Sequence, residues 1–402
     1  MISVDAARER ILAALSPLGT ETVSLAAAWQ RVLAAPVTAR MDKPGTDVSA
    51  MDGYAVRAAD CTAAPTQLRV VGSAPAGHPF VGALAPGEAV RLFTGSVLPG
   101  GADTVVIQED TDEGDDAVEI RIVPRTGAHI RPRAGDFAAG AILLAPPRRL
   151  TARDVGIAAS AGHAWLTVRR RPRVAILATG DEIALPGDPV PAGGVVSSNS
   201  FVLDAIVRAA GGDPVTLPVA PDDPAAIGAA VGAARGADLI VTSGGASVGA
   251  HDLVRPALEP LGLSLDFWKI AMRPGKPFMF GRVGEAALIG LPGNPVSATV
   301  CAILFLVPAI ERLLGLPGEA PATIRARAGG ALPANDHRAD HLRASLARDG
   351  EGDLVATPAA RQDSSQMAIL AAADALILRA PNAPAVAQGE VVDVIVLGGR
   401  DI

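Results

Sequence analysis

Cysteine is nearly absent from this 402-residue chain, which carries only Cys61 and Cys301. Far apart and without metal-ligand spacing, the two exclude a disulfide framework and a cysteine-based structural zinc site, and they fit a reducing compartment. Aromatic residues are also scarce, at 3% with a single tyrosine, so the core of a 49% hydrophobic chain has to be built mainly from Ala, Val, Leu and Ile. Basic charge is not in excess. With 35 Lys and Arg against 42 Asp and Glu the net charge is −7, which removes the globally basic footprint of a nucleic-acid binder. Long apolar runs are missing too. The longest, 296–310, is shorter than the ~18 residues of a membrane span and contains Pro308, so a buried helix is expected there and no membrane. Charges at Arg8, Glu9 and Arg10 leave no room for the apolar stretch of a secretory signal. The expected location is cytoplasmic.

Turn residues are abundant, with 43 Gly and 33 Pro, above ordinary usage but short of low complexity. The length suggests about two or three domains. Spacing of apolar residues predicts a helix over 4–15, stopped by Pro17 and Gly19, and a short helix over 25–33 ended by Pro36. Between 67 and 133 the texture changes to short β-rich runs (67–71, 89–93, 104–108 and 118–123) split by turn signals, which reads as an inserted β domain. A helix and turn cover 151–162. The triplet 169–171, all arginine, reads as a solvated domain junction, since it lacks a wider basic face. From 173 onward strands at 174–178, 215–219, 239–242, 265–270, 278–280 and 287–289 alternate with helices at 200–210, 224–234, 253–261 and 296–314. That alternation predicts a largely parallel sheet with helices on both faces. The ligand crevice of such a sheet lies beyond the carboxyl ends of its strands. After a linker at 317–321, short strands return to the end of the chain.

Polar residues gather at those strand ends. One strand runs into Thr179-Gly180-Asp181-Glu182, another into Ser243-Gly244-Gly245-Ala246-Ser247-Val248-Gly249 with Asp252 beyond. Glycines there let backbone N–H groups approach an anion, although a Gly-Gly loop is also what a plain turn looks like, and neither the P-loop nor the dinucleotide spacing is present. Lys269, Arg273 and Lys276 place three cations within eight residues on a Pro-rich turn, an oxyanion site or an ordinary solvated loop. Gly290-Leu291-Pro292-Gly293-Asn294-Pro295-Val296-Ser297 aims a helix start at the same crevice. Glu182, Asp222 and Asp252 are helix caps or, facing a phosphate-shaped site, ligands for Mg²⁺. His337 and His341 share an i,i+4 spacing, but no third ligand for zinc is visible. Near the N-terminus stands a dense word, Ser49-Ala50-Met51-Asp52-Gly53-Tyr54-Ala55-Val56, which periodicity alone cannot interpret.

With Thr94-Gly95, Leu98-Pro99, Gly101-Ala102-Asp103 and Pro274-Gly275-Lys276-Pro277, these words occur in an order that resembles the MoeA family of molybdopterin molybdenumtransferases, relatives of the gephyrin E domain, over almost the whole chain. The resemblance implies a multi-domain α/β plus β fold. It comprises an elongated N-terminal domain (1–44 and 136–171), an inserted β domain (45–135), a molybdopterin-binding, doubly wound, mostly parallel sheet domain (172–317) and a C-terminal β-barrel-like domain (318–402). It also implies a homodimer whose cleft combines the α/β domain of one subunit with N-terminal elements of the other. The implied reaction inserts molybdenum from molybdate into adenylylated molybdopterin and releases AMP, with help from Mg²⁺ and with a molybdopterin adenylyltransferase as a possible partner.

Carried over by motif, Asp52, Thr94, Glu182, Lys269 and Lys276 would be catalytic. Ser243, Gly244, Gly245, Ser247, Arg273, Pro292, Asn294, Ser297, Arg343 and Ser364 would bind substrate, and Asp222 and Asp252 would hold the metal. Arg338 competes with Arg343, which the spacing to Ser364 favours. Arg273 stands where the family usually has lysine, and its planar fork is not equivalent to an ammonium. Asp136 matches its motif weakly, and Thr46 replaces an aromatic residue. Two other functions compete: an ATP-dependent adenylyltransferase, and a non-catalytic scaffold, against which the lack of a long linker or fused partner domain argues. The sequence does not distinguish molybdate from tungstate.

Overall fold

The structure, a computed structural model, describes residues 1–244 and 253–398. The chain separates into two compact units, Thr22–Val168 on one side and Met1–Glu21 with Arg169–Ile402 on the other.

In the unit Thr22–Val168, five strands form a mixed sheet in the order Thr104–Ile107, Gly53–Val56, Glu88–Leu92, Thr66–Ala74, Ala117–Ile120. Alternation along Gly53–Val56 sends Tyr54 and Val56 to one face, among Leu68, Val106 and Val118, and Ala55 to the other, among Val90, Leu92 and Val105, as the two-residue period of a strand requires. The helix expected over 25–33 is not formed. A single 3₁₀ turn, Leu25–Ala27, gives way to a strand, Val32–Leu33, paired with Arg148–Arg149. Tertiary packing overrides the local propensity of the alanines, because Leu33 and Val37 are needed beside Leu150, Leu166 and Val168. Helix Ala152–Ser160 starts with a capping box in which Thr151 and Asp154 satisfy each other's backbone N–H.

The other unit is built on a six-stranded sheet in the order Asp213–Thr216, Arg173–Ala178, Leu239–Ser243, Ala286–Leu291, Met279–Val283, Leu263–Trp268. The first four strands are parallel, and the last two return as an antiparallel meander. Helix Asn199–Ala210 ends at Gly211 in a left-handed conformation, the expected glycine stop. The closing helix runs in three stretches, Pro295–Cys301, a π-helical Ala302–Leu306, and Val307–Leu313. Pro308 cannot donate to the carbonyl four residues back, and the widened turn accommodates that lost bond. The helix has 19 residues, within one residue of the expected 296–314, and by length and composition it passes for a membrane span. However, 94% of its 18-residue apolar stretch is buried in the protein, with Phe305 against Phe278 at 4.8 Å. The N-terminal helix Val4–Ala13 belongs to this unit, where Arg10 pairs with Asp266. The arginine triplet, expected to be solvated, is half-buried and engaged: Arg170 forks onto both oxygens of Asp238 at 2.8 Å, and Arg169 donates to the Leu18 carbonyl.

C-terminal to the sheet, five strands close into a barrel in the order Ala339–Arg348, Leu354–Pro358, Thr323–Ala328, Val391–Val396, Ala375–Arg379, the last pairing back to the first. A two-residue strand from the sheet domain, Met272–Arg273, lies parallel on Ala339–Arg348. The i,i+4 spacing of His337 and His341 has no meaning here, since His341 belongs to a strand and not to a helix.

Candidate active site

Where the parallel strands end, their loops meet residues of the barrel around a cavity of about 640 Å³. Its wall includes Thr179, Gly180 and Glu182 after the first strand, Asp222, Gly244, the turn 272–277, Pro292, Gly293, Asn294 and Ser297, with Arg338, Gln362 and Ser364 from the barrel. The crevice therefore lies at the carboxyl ends of the strands, as parallel topology predicts.

Gly180, Gly244 and Gly275 in this wall have positive φ, and backbone or buried neighbours crowd the last two. Gly244 has φ +97°, and a Cβ on it would sit 2.6 Å from the Thr179 carbonyl oxygen. Gly275 has φ +115°, and its Cβ would meet the Cys301 sulfur at 2.5 Å. The buried Cys301 thiol, whose pKa burial pushes up, thus packs beneath the cationic turn. The loops are tied to one another. Asn199 Nδ2 donates to Ser243 Oγ and to the Gly293 carbonyl, both at 2.7 Å. Asn294 Nδ2 donates to Ser364 Oγ at 2.9 Å, and Val296 N–H donates to the Ser364 carbonyl at 3.1 Å. Gln362 bonds the Arg343 backbone in both directions at 2.9 Å.

The structure sorts the expected residues. Glu182, Asp222, Gly244, Arg273, Lys276, Pro292, Asn294, Ser297 and Ser364 share the cavity. Ser243 is buried just behind it as the acceptor for Asn199. Lys269 is not in the wall; it has φ +76° and its ammonium rests 5.1 Å from the centre of the Trp268 ring. Of the two competing arginines, Arg338 lines the cavity. Arg343 does not: it is 1% exposed and its Nη2 donates to the Asp363 carbonyl at 3.1 Å, behind Gln362 and Ser364. Burial lowers the pKa of its guanidinium. Gly245, Ser247 and Asp252 lie outside the described residues. Sequence reasoning passed over Asn199 and Gln362. A polar run, Ser197-Ser198-Asn199-Ser200, at the start of an apolar helix was the available signal for the first.

Charge in the wall is mixed. Arg273 is held by Asp340, whose hydrogen bonds raise the guanidinium's pKa. Arg338 donates to Asp336 at 2.7 Å, and this contact draws the Asp336 carboxyl far below its usual range. In the other unit, Asp52 Oδ1 accepts from the Thr94 backbone N–H at 2.7 Å and from its hydroxyl at 2.8 Å, which lowers the Asp52 pKa. Asp52 and Thr94 therefore act as one hydrogen-bonded pair.

Such a crevice, at the carboxyl ends of a parallel sheet and walled in part by a fused β-barrel, defines a multi-domain α/β plus β protein with one composite polar cavity. Models of three regions match along the chain: the MoeA N-terminal region (domains I and II) at 2–162, a probable molybdopterin-binding domain at 175–312, and the MoeA C-terminal region (domain IV) at 325–397. A molybdopterin molybdenumtransferase from Nostoc sp. is 39% identical over 81% of this chain and 77% of its own. One from Bacillus subtilis is 33% identical over 98% and 94%. The crystal structure of a molybdopterin biosynthesis MoeA protein from Pyrococcus horikoshii superposes with a TM-score of 0.85 at 29% identity, covering 99% of this chain and all of that one. The chain belongs to the MoeA family.

Proposed function

We propose that this protein is a molybdopterin molybdenumtransferase that inserts molybdenum from molybdate into adenylylated molybdopterin and releases AMP. The observation that carries the reading is the convergence of Gly244, Lys276, Ser297 and Ser364 on the cavity that Glu182 and Asp222 also line. The substrate's phosphate linkage would rest on the backbone at Gly244, where no side chain intervenes. Lys276, Ser297 and Ser364 would gather the oxyanion, with Arg338 beside them in the wall. Glu182 and the Asp52–Thr94 pair are groups that can orient water or hold a proton.

The donor set fits Mg²⁺. Two carboxylates, Asp222 and Glu182, share the wall, and no group of three or more His, Cys, Asp or Glu side chains forms a cage among the described residues. An ion leaning on one or two carboxylates and on substrate oxygens suits such a site. Asp222 would hold it together with Asp252, and it would neutralise charge on the phosphate oxygens. The reading includes a homodimer with a shared cleft and a cytoplasmic location, consistent with two free, buried cysteines.

The deciding experiment is turnover of adenylylated molybdopterin with and without molybdate and Mg²⁺, following AMP. Release that depends on both supports the reading, whereas release indifferent to molybdate removes it. Subunit exchange between Asp52→Ala and Asp252→Ala variants tests the shared cleft, since activity should reappear only in mixed dimers.

A further inference from the structure

Arg273 stands in the cavity wall, yet its guanidinium is already engaged. Nε donates to Asp340 Oδ1 at 2.8 Å, Nη2 donates to Oδ2 of the same carboxylate, and Asp336 lies 3.7 Å from Nη1. The backbone is held as well. Arg273 sits opposite Asp340 in the parallel pairing, and Ala339 N–H donates to the Ala271 carbonyl at 2.9 Å. From the other side Ile2 accepts from Ala271 N–H at 2.8 Å. Asp340 and His341 are each 4% exposed. A carboxylate that deep is tolerated only with a fixed partner, and a forked guanidinium supplies one. Lys276, three residues along the same turn, makes no ion pair among the described residues.

We infer that Asp340, supported by Asp336, is a positioning residue: it clamps Arg273 so that the turn 272–277 is fixed against the barrel, and Lys276 rather than Arg273 is the cation left to meet the anionic substrate. The inference rests on reading the cavity as an oxyanion site. It also gives the arginine at this position a purpose that an ammonium serves less well, because only the planar fork can take both carboxylate oxygens at once.

The test compares Asp340→Asn, Arg273→Ala and the double variant. Each single change should raise the molybdate concentration for half-maximal AMP release by roughly tenfold, about the loss of one charge-assisted contact, with KM changing more than kcat. The double variant should be no worse than the poorer single one, since both remove one clamp. Asp340→Glu, which keeps the charge, should recover part of the loss. If Arg273 itself binds the oxyanion, Asp340→Asn frees its charge and lowers the molybdate requirement, or the double variant loses multiplicatively, and either result overturns the clamp. Hydrogen exchange supplies a readout independent of turnover. Amides of 272–277 should exchange faster in Asp340→Asn while the barrel strands stay protected. Unchanged protection of the turn rejects the clamp even if the chain proves not to use molybdate.

Discussion

Strands Leu239–Ser243 and Ala286–Leu291 of the α/β sheet are buried at every residue, whereas Val391–Val396 in the barrel exposes three of its six positions. The difference follows from what covers each. Helices cover both faces of a parallel sheet, so its strands read as continuous apolar runs, while a small barrel has one face in water. The consequence reaches the cavity. A strand with no polar position to spare contributes through the backbone and loop at its end, as at Gly244 and Pro292–Gly293. The barrel and its connecting loops contribute side chains instead: Arg338, Gln362 and Ser364 in the wall, and Asp340 and His341 beneath it. One region supplies the cradle, the wall carboxylates and the ammonium of Lys276, and the other supplies the carboxylates that brace Arg273.

The comparison breaks most visibly at Gly244. In Gly244→Val a side chain meets the Thr179 carbonyl in a left-handed conformation, at a cost of about 3 kcal/mol or more. AMP release should fall below detection while the barrel strands keep their hydrogen-exchange protection. Retained turnover would show that the loop does not cradle the substrate.

The next largest effect concerns the barrel. Burial pushes the His341 pKa down to about 4, from 6.5. Between those values the unfolded chain takes up a proton that the folded one refuses, so this residue makes stability fall as pH drops from about 6.5 to 4, by up to roughly 3 kcal/mol. Denaturant midpoints measured across that window should flatten in His341→Gln relative to the parent. An equal slope in both proteins would mean that the imidazole charges without penalty in the fold.

Lys276→Ala should raise the molybdate requirement roughly tenfold or more, about 1.5–3 kcal/mol, with binding of the adenylylated pterin largely retained. A pterin titration beside the molybdate dependence checks this, and the reverse pattern would assign the ammonium to the nucleotide phosphate. Smallest of all, Arg208→Ala on the exposed face of helix Asn199–Ala210 loses an i,i+4 contact with Asp204 at 2.6 Å. It should leave thermal melting almost unchanged, and a clear shift would mean that surface charge matters more than cavity charge.

Much of this was legible along the chain because it is local. Apolar runs bounded by glycine and proline predicted the parallel strands to within a few residues, and short polar words at their ends marked the loops around the cavity. Glycine at 244 and 275 is a local necessity, since only that residue adopts the backbone angles there without strain. Tertiary structure decided the rest. The spacing to Ser364 favoured Arg343, but chain separation does not say which side of a barrel strand faces a neighbouring domain; the fold buried Arg343 and put Arg338 in the wall. The strand at Val32–Leu33 replaced a plausible helix because its partner, Arg148–Arg149, lies more than a hundred residues away. The engagement of Arg273 by Asp340, 67 positions later, follows the same rule. The sequence alone determined which residues are able to turn, to cradle an anion or to carry charge, since those properties belong to single residues and their neighbours. Which charges are left free for a substrate was decided by tertiary structure, because a guanidinium is neutralised by whatever carboxylate the fold brings within 3 Å of it.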